Sequence, residues 1–435
     1  MSFRRTVMGF GLKALNRLAA LPGMDQPARR QKVATFLHEA SRAGFKAALA
    51  INRPFKAARQ LLKPLRPARI AAPDLFDLTP TDEQAMIVEA MRRFASDALR
   101  PAAAEADEAA GAPAELLAQA AELGVTAMNA PDELGGVGHE RSVVTNALVA
   151  EALAHGDMGL ALACLAAPSV ATALVEFGSA DQQAKYVPSL TAEKSPQAAI
   201  AVMERQPLFN PFQLKTTARR AGDGYVLDGE KHLVPCAQQA ELFLVAAADD
   251  DGKPGLFIVE SGTQGLSLAT QPAMGLRAAG LARLTLSRVK LPGSARLAEA
   301  DYAEFIARSR LAWSALALGT TQAVLDYVIP YANDREAFGE PISHRQSVAF
   351  MIANIGIELE GMRLVTWRAA SLAAAGRPFT AEAALARSLC ARYGMRAGSD
   401  GVQVLGGHGF VKEHPVERWY RDLRAVGIME GGVML

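Results

Sequence analysis

Hydrophobic positions recur at helical spacing from about Thr79 to Leu190, with Ile87, Met91 and Phe94 opening the stripe. Thr79-Pro80-Thr81-Asp82-Glu83-Gln84 supplies a start signal: a capping hydroxyl at Thr79, proline at the first position and early acids. The stretch is Ala-rich, and a Gly-rich turn interrupts it at Asp132–Gly138. From about Gln197 the period shortens to two. Ala198–Met203, Gly224–Asp228, Glu241–Ala247, Gly255–Glu260 and Ala282–Val289 predict short strands, with turn signals at Gly222-Asp223-Gly224 and Asp250–Gly255. A small antiparallel barrel or sandwich is expected there. After Pro292 the helical period returns over Asp301–Asn333, Ser343–Ala375 and Ala381–Leu405, and short connections between long helices predict an antiparallel bundle. The expected fold class is α+β. It comprises an N-terminal helical domain over 76–196, a β-domain over 197–299 and a C-terminal four-helix bundle over 300–435. A basic helical extension and linker over 1–75 precede them.

Composition adds a core and a charge asymmetry. Half of the 435 residues are hydrophobic and 21% are charged, enough apolar material for sizeable domains. The apolar stretch Met158 to Val175 just reaches membrane-spanning length, but Pro168, Ser169 and Thr172 break it, so it predicts a buried helix. Cys164, Cys236 and Cys390 lie far apart without metal or redox spacing, which fits a reducing compartment and predicts no metal site. The net charge is +1, yet residues 1–70 hold 15 Lys/Arg against Asp25 and Glu39, a net +13, leaving −12 on the remaining 365.

Within the extension, Val7, Met8, Leu12, Leu15 and Leu18 recur at helical spacing with Arg5, Lys13 and Arg17 off the stripe, and a second segment carries Leu37, Phe45 and Leu49. Lys13 and Arg17 interrupt any secretory apolar core. Three readings stay open: a helix on an anionic membrane surface, a cleaved transit peptide, or an arm packed on the acidic body of its own dimer. Nucleic acid is not an expected partner, because aromatics are not interleaved with the bases. The expected location is cytoplasmic, with the arm peripheral on the inner membrane face, in preference to a mitochondrial matrix.

Five ordered motifs carry a resemblance. They are Pro131-Asp132-Glu133-Leu134-Gly135-Gly136-Val137-Gly138; Phe177-Gly178-Ser179 through Gln182-Gln183-Ala184-Lys185-Tyr186; Arg335-Glu336-Ala337-Phe338-Gly339 with Gln346; Val402-Gln403-Val404-Leu405-Gly406-Gly407-His408-Gly409-Phe410; and Arg421-Asp422 followed by Glu430-Gly431. Together they resemble the signatures of the acyl-CoA dehydrogenase flavoproteins over residues 76–435. The resemblance implies FAD as cofactor, an acyl-CoA thioester as substrate, electron-transfer flavoprotein as acceptor, and a homodimer or homotetramer. It places the catalytic base at Glu430. It places cofactor-binding groups at Arg335, Phe338, Gln346, Gln403, Gly406 and Gly407, acting across a dimer, and substrate-side groups at Arg310 and Gly431.

The chemistry suits these residue types. Dehydrogenating a thioester across its α,β bond needs a base for the α-proton, donors for the enolate oxygen, and a hydride acceptor that no side chain supplies. Guanidinium presents paired donors to phosphate, and glycines let backbone approach a ligand closely. Patterns for a nucleotide-binding Gly-rich loop, a zinc protease or a serine hydrolase are absent.

Departures from the family cluster in the β-domain. Its Thr-Glu-Pro-Gly-x-Gly-Ser-Asp loop reads Met203-Glu204-Arg205-Gln206-Pro207-Leu208-Phe209-Asn210, and its Trp-Ile-Thr strand reads Leu233-Val234-Pro235. Pro235 offers neither hydroxyl nor N–H. The family's Glu-Gly-Thr is Glu430-Gly431-Gly432, and the sequence ends at Leu435 before the family's closing helical turns. Two expectations follow: an acyl-CoA dehydrogenase with an altered ring environment, or a half-catalytic subunit that completes a partner's flavin site in a hetero-oligomer.

Overall fold

The computed structural model describes residues 79–137, 142–192, 194–298 and 300–435. The basic extension, with its expected amphipathic helices, lies outside the described residues, as does Gly138. Helix α1 spans Asp82–Phe94. Its cap is Thr81, whose hydroxyl accepts the Gln84 amide at 3.2 Å while the Gln84 side chain accepts Thr81 N–H at 3.0 Å. The expected cap was Thr79; the reciprocal bond to Gln84 selects the second threonine and leaves Pro80 ahead of the helix.

A π-turn at Ala95–Leu99 carries α1 into α2, Arg100–Ala109, followed by α3 (Ala114–Glu122), α4 (Val143–Gly156), α5 (Met158–Phe177) and α6 (Ala180–Thr191). Helix α5 is apolar all round and is long and apolar enough to cross a membrane, yet every residue but Glu176 is buried within the protein. An all-round apolar helix needs cover on every side, and it is the core helix here. At the Gly-rich turn Gly135 takes φ +82°, and a Cβ on Gly136 would lie 1.8 Å from the Ala130 carbonyl oxygen, so only glycine passes.

The middle segment is one curled seven-stranded sheet: β1 Gln197–Ala201, β2 Thr217–Ala221, β3 Gly224–Val234, β4 Ala240–Ala248, β5 Pro254–Glu260, β6 Leu266–Thr270 and β7 Ala282–Leu291. The order is β1-β4-β2-β3-β7-β6, with β5 on β4. The sheet is mixed where an antiparallel one was expected: β1 and β2 both run parallel to β4. The chain leaves β1 by a long loop, a crossover instead of a hairpin, and returns beside β4 in the same sense. Strands β2 and β6 went unseen in the periodicity because each has mostly exposed or half-exposed positions and no clean alternation.

Helices α7 (Tyr302–Asp334), α8 (Gln346–Ala374), α9 (Thr380–Leu405) and α10 (Val416–Ala425) complete the chain, with a short hairpin, β8 Glu336–Ala337 and β9 Glu340–Pro341, after α7. One apolar cluster joins α1–α5 to α7–α10. A second joins α5, α6 and the start of α7 to one face of the sheet, and a third fills the other face. The motif residues around α6 and α10 act as staples. Lys185 and Tyr186 both bond Glu260 of β5. Arg421 pairs bidentately with Asp107 at 2.9 and 3.0 Å, and Asp422 accepts the Leu276 amide at 2.6 Å. Other contacts bring the ends of β1 and β3, the third turn of α7 and the segment after α10 to one place: Met203 and Arg310 on Glu430, and Pro235 on Gly432.

Candidate active site

Glu430 follows the turn that ends α10 and is held from three sides. Arg310, on α7, donates Nε to Oε1 and Oε2 at 3.2 and 3.0 Å and Nη2 to Oε1 at 2.9 Å. The carboxylate is 13% exposed and the guanidinium 22%, so the pair is largely buried but still reaches solvent. The Glu430 backbone N–H points to Met203 Sδ at 3.2 Å, at the end of β1. Just before the base, the Met429 carbonyl accepts from Arg387 of α9; just after it, the Gly431 carbonyl accepts from Trp313 Nε1 at 2.8 Å. Arg387 is buried, and burial pulls its pKa below the usual guanidinium value against the attraction of Glu430. Sequence reasoning found Glu430 and Arg310 and missed Arg387 and Trp313, which no local motif marks.

The loop that departs from the family pattern is tied internally. Glu204 accepts from Lys231 at 2.7 Å, from the Lys215 and Thr216 amides at 2.7 and 3.0 Å, and from the Gln206 side chain at 2.7 Å. Burial alone would raise the Glu204 pKa; the Lys231 charge and these donors outweigh it and hold the carboxyl low. Lys231 is fully buried, and burial lowers its pKa to about 8 despite Glu204. Tyr302, on α7, donates to the Pro211 carbonyl at 3.0 Å, and burial pushes its phenol well above the usual range. The loop therefore spans from β1 to the start of α7 beside the base. Pro235 is buried, and its neighbours Leu233 and Cys236 both take positive φ, +51° and +56°. Such strain in non-glycine residues concentrates where a site over-determines the backbone.

The cofactor candidates gather elsewhere, at the far end of α7. Arg335 caps that helix, Phe338 lies in the β8–β9 turn at 97% exposure, and Gln346 opens α8. Tyr331, one turn before Arg335, lies 3.3 Å from the Leu405 carbonyl and 2.8 Å from His408 Nδ1, which brings Gln403, Gly406 and Gly407 to the same end. Arg335, Gln346 and Gln403 are exposed, and a Cβ on Gly406 or Gly407 would meet nothing within 4 Å. An exposed guanidinium, two amide side chains and an open glycine backbone fit a diphosphate, so this end suits the phosphate half of FAD. The structure does not bring this group together with Glu430, whose partner Arg310 precedes Arg335 along α7 by 25 residues, about 37 Å at 1.5 Å per residue.

The acyl-CoA dehydrogenase N-terminal domain family matches residues 81–194, the middle domain family 199–289 and the C-terminal domain family 301–432. The short/branched chain specific acyl-CoA dehydrogenase of Rattus norvegicus is 32% identical, over 81% of this chain and 83% of that protein. Butyryl-CoA dehydrogenase from Megasphaera elsdenii superposes with a TM-score of 0.76 at 28% identity, covering 82% of this chain and 96% of that one. A glutaryl-CoA dehydrogenase from Mycobacterium smegmatis, solved with FADH2, superposes at 0.74 with 26% identity, over 81% and 92%. With three domains matched in order along one chain, this protein belongs to the acyl-CoA dehydrogenase family of FAD-dependent oxidoreductases.

Proposed function

We propose that the chain dehydrogenates an acyl-CoA thioester across its α,β bond in fatty-acid oxidation, with Glu430 as the base. The observation that carries this reading is the bidentate grip of Arg310 on Glu430. Oε1 receives two donors and Oε2 one, so Oε2 is the freer oxygen to take the α-proton. The grip fixes the carboxylate's orientation, and a base helps only when so placed. The Glu430 amide serves as an oxyanion donor once a thioester oxygen displaces Met203 sulfur, a weak acceptor. Bound FAD supplies the hydride acceptor. Arg335, Gln346, Gln403 and the Gly406-Gly407 backbone hold the diphosphate of a neighbouring subunit's cofactor, with Phe338 against it and Gly431 beside the substrate.

Electron-transfer flavoprotein is the acceptor in this reading and the assembly a homodimer or homotetramer. Residues 1–70 rest on the cytoplasmic membrane face. A second reading, the half-catalytic subunit of a hetero-oligomer, draws on one contrast: the diphosphate end is open, whereas Val202, Met203 and Pro235 on the ring side are buried. Turnover of short- and medium-chain acyl-CoA with a dye acceptor tests the main reading. Glu430→Gln keeps the shape and removes the base, so α-proton exchange and turnover should vanish while flavin content stays. Unchanged turnover refutes the assignment.

A further inference from the structure

The residues that follow the base fold back over the wall a hydride acceptor would need. An acceptor must face the carbon next to the one Glu430 deprotonates, so it must come within a few ångströms of Glu430. From the sheet, Met203 meets Glu430, its Sδ 3.2 Å from the Glu430 nitrogen, and Val202 and Pro235 are buried with it at the ends of β1 and β3. Gly431 packs on Val202 and Gly432 on Pro235. A methyl group on Gly431 would lie 2.4 Å from Val202 Cγ2, and one on Gly432 would lie 3.2 Å from Pro235 Cγ.

Beyond the glycines, Val433, Met434 and Leu435 are buried at 2% exposure or less. Met434 shares the apolar cluster of Val170, Leu174, Tyr302 and Ile306. Its amide donates to Ser169 Oγ at 2.9 Å, and its carbonyl lies 3.3 Å from the same hydroxyl. Leu435 borders a cavity of about 370 Å³ that is also lined by Asn146, Thr172 and Arg308. Few polar ties hold the segment: Trp313 on Gly431, Ser169 on Met434 and Arg308 on Leu435. Gly431 and Gly432 take φ +70° and +81°, two adjacent residues free to swing through backbone conformations other residues resist.

We propose that Gly431–Leu435 is a retractable latch. Closed, it seals the ring-side wall behind Glu430; lifted on the Gly431-Gly432 hinge, it admits the flavin ring and the thioester. The proposal rests on the reading of Glu430 as base. It makes flavin affinity conditional on opening, because the apparent dissociation constant is the intrinsic one divided by the open fraction. Ser169, on α5, sets that fraction without belonging to the catalytic or phosphate-binding groups.

The experiment uses the full chain. Hydrogen exchange of the peptide that contains Met434 is followed while FAD is titrated in, and FAD affinity is measured by fluorescence quenching for the parent, Ser169→Ala and a variant lacking Val433–Leu435. Met434 should lose protection as flavin saturates. Ser169→Ala should bind FAD about 2- to 10-fold more tightly, the factor one net hydrogen bond is worth. Met434 still protected at saturating flavin overturns the latch, and so does equal affinity in all three proteins. Should the truncated form fail to fold, exchange in the parent still decides. The catalytic reading is judged separately, by turnover of Glu430→Gln.

Discussion

The sulfur of Met203 lies 3.2 Å from the backbone nitrogen of Glu430, the amide that the proposed reading offers to a thioester oxygen. A thioether accepts weakly, so the contact parks the donor and does not consume it. Met203→Leu keeps volume and burial and should change stability by less than about 1.5 kcal/mol. Turnover should be unchanged or higher, since the amide loses only a weak partner. A loss of turnover beyond tenfold, with the melting temperature preserved, would assign the sulfur a part in the chemistry.

Arg310→Lys retains the charge and loses the fork. Only a planar guanidinium places Nε and Nη2 on two carboxylate oxygens at once. Charge-assisted hydrogen bonds are worth about 1.5–3 kcal/mol each, so kcat should fall at least tenfold with one of them gone. Steady-state kinetics on acyl-CoA with the melting point as control checks this. Equal kcat in Arg310→Lys would mean that charge alone positions the base.

Arg335→Ala should weaken flavin retention by roughly 10- to 150-fold, the equivalent of about 1.5–3 kcal/mol for a lost charge-assisted partner of phosphate. Flavin per chain after gel filtration reads this out. Indifference would remove Arg335 from the diphosphate site, and with it the across-dimer arrangement of the far end of α7.

The buried pair Lys231–Glu204 imposes a pH signature on stability. Glu204 has its pKa held below the ordinary 4.5, so its contribution is full above 4.5 and is lost as pH falls through the lower folded value. Lys231 falls from 10.5 to about 8, so between those values the unfolded chain binds the extra proton and stability rises with pH. Melting temperature should therefore drop on the acid side and gain from this pair between about 8 and 10.5. Lys231→Met should erase the alkaline gain and destabilise by about 3–5 kcal/mol, because Glu204 would keep its charge without a counter-charge. Flat alkaline melts in the parent would contradict the depressed lysine.

Much of this protein is written locally. The helical period over α7, α8 and α9 reached within a few residues of each observed end, because long apolar stripes leave no competing fold for those segments. The apolar stretch inside α5 could be read as a core helix from Pro168, Ser169 and Thr172. Glu430, Arg335 and the Gly406-Gly407 pair were legible because each stands in a short motif. Other features depended on residues distant in sequence. Thr81 rather than Thr79 caps α1 through a side-chain bond that spacing alone leaves ambiguous. The parallel pairings of β1 and β2 with β4 arise from a crossover, which alternation does not encode.

The site shows the same division. Pro235 and Met203 stood out in the sequence as departures from the family pattern, but the contacts of Val202 with Gly431, Pro235 with Gly432 and Met203 with Glu430 required the segment after α10 to return to the ends of β1 and β3. Arg310 and Glu430 are 120 residues apart, and Met203 and Glu430 are 227 apart. Hydrophobic periodicity dictates which face of an element is buried. It cannot dictate which distant polar groups meet at its end, because that depends on how whole elements pack, and only the folded chain settles their positions to the few ångströms on which a hydrogen bond depends.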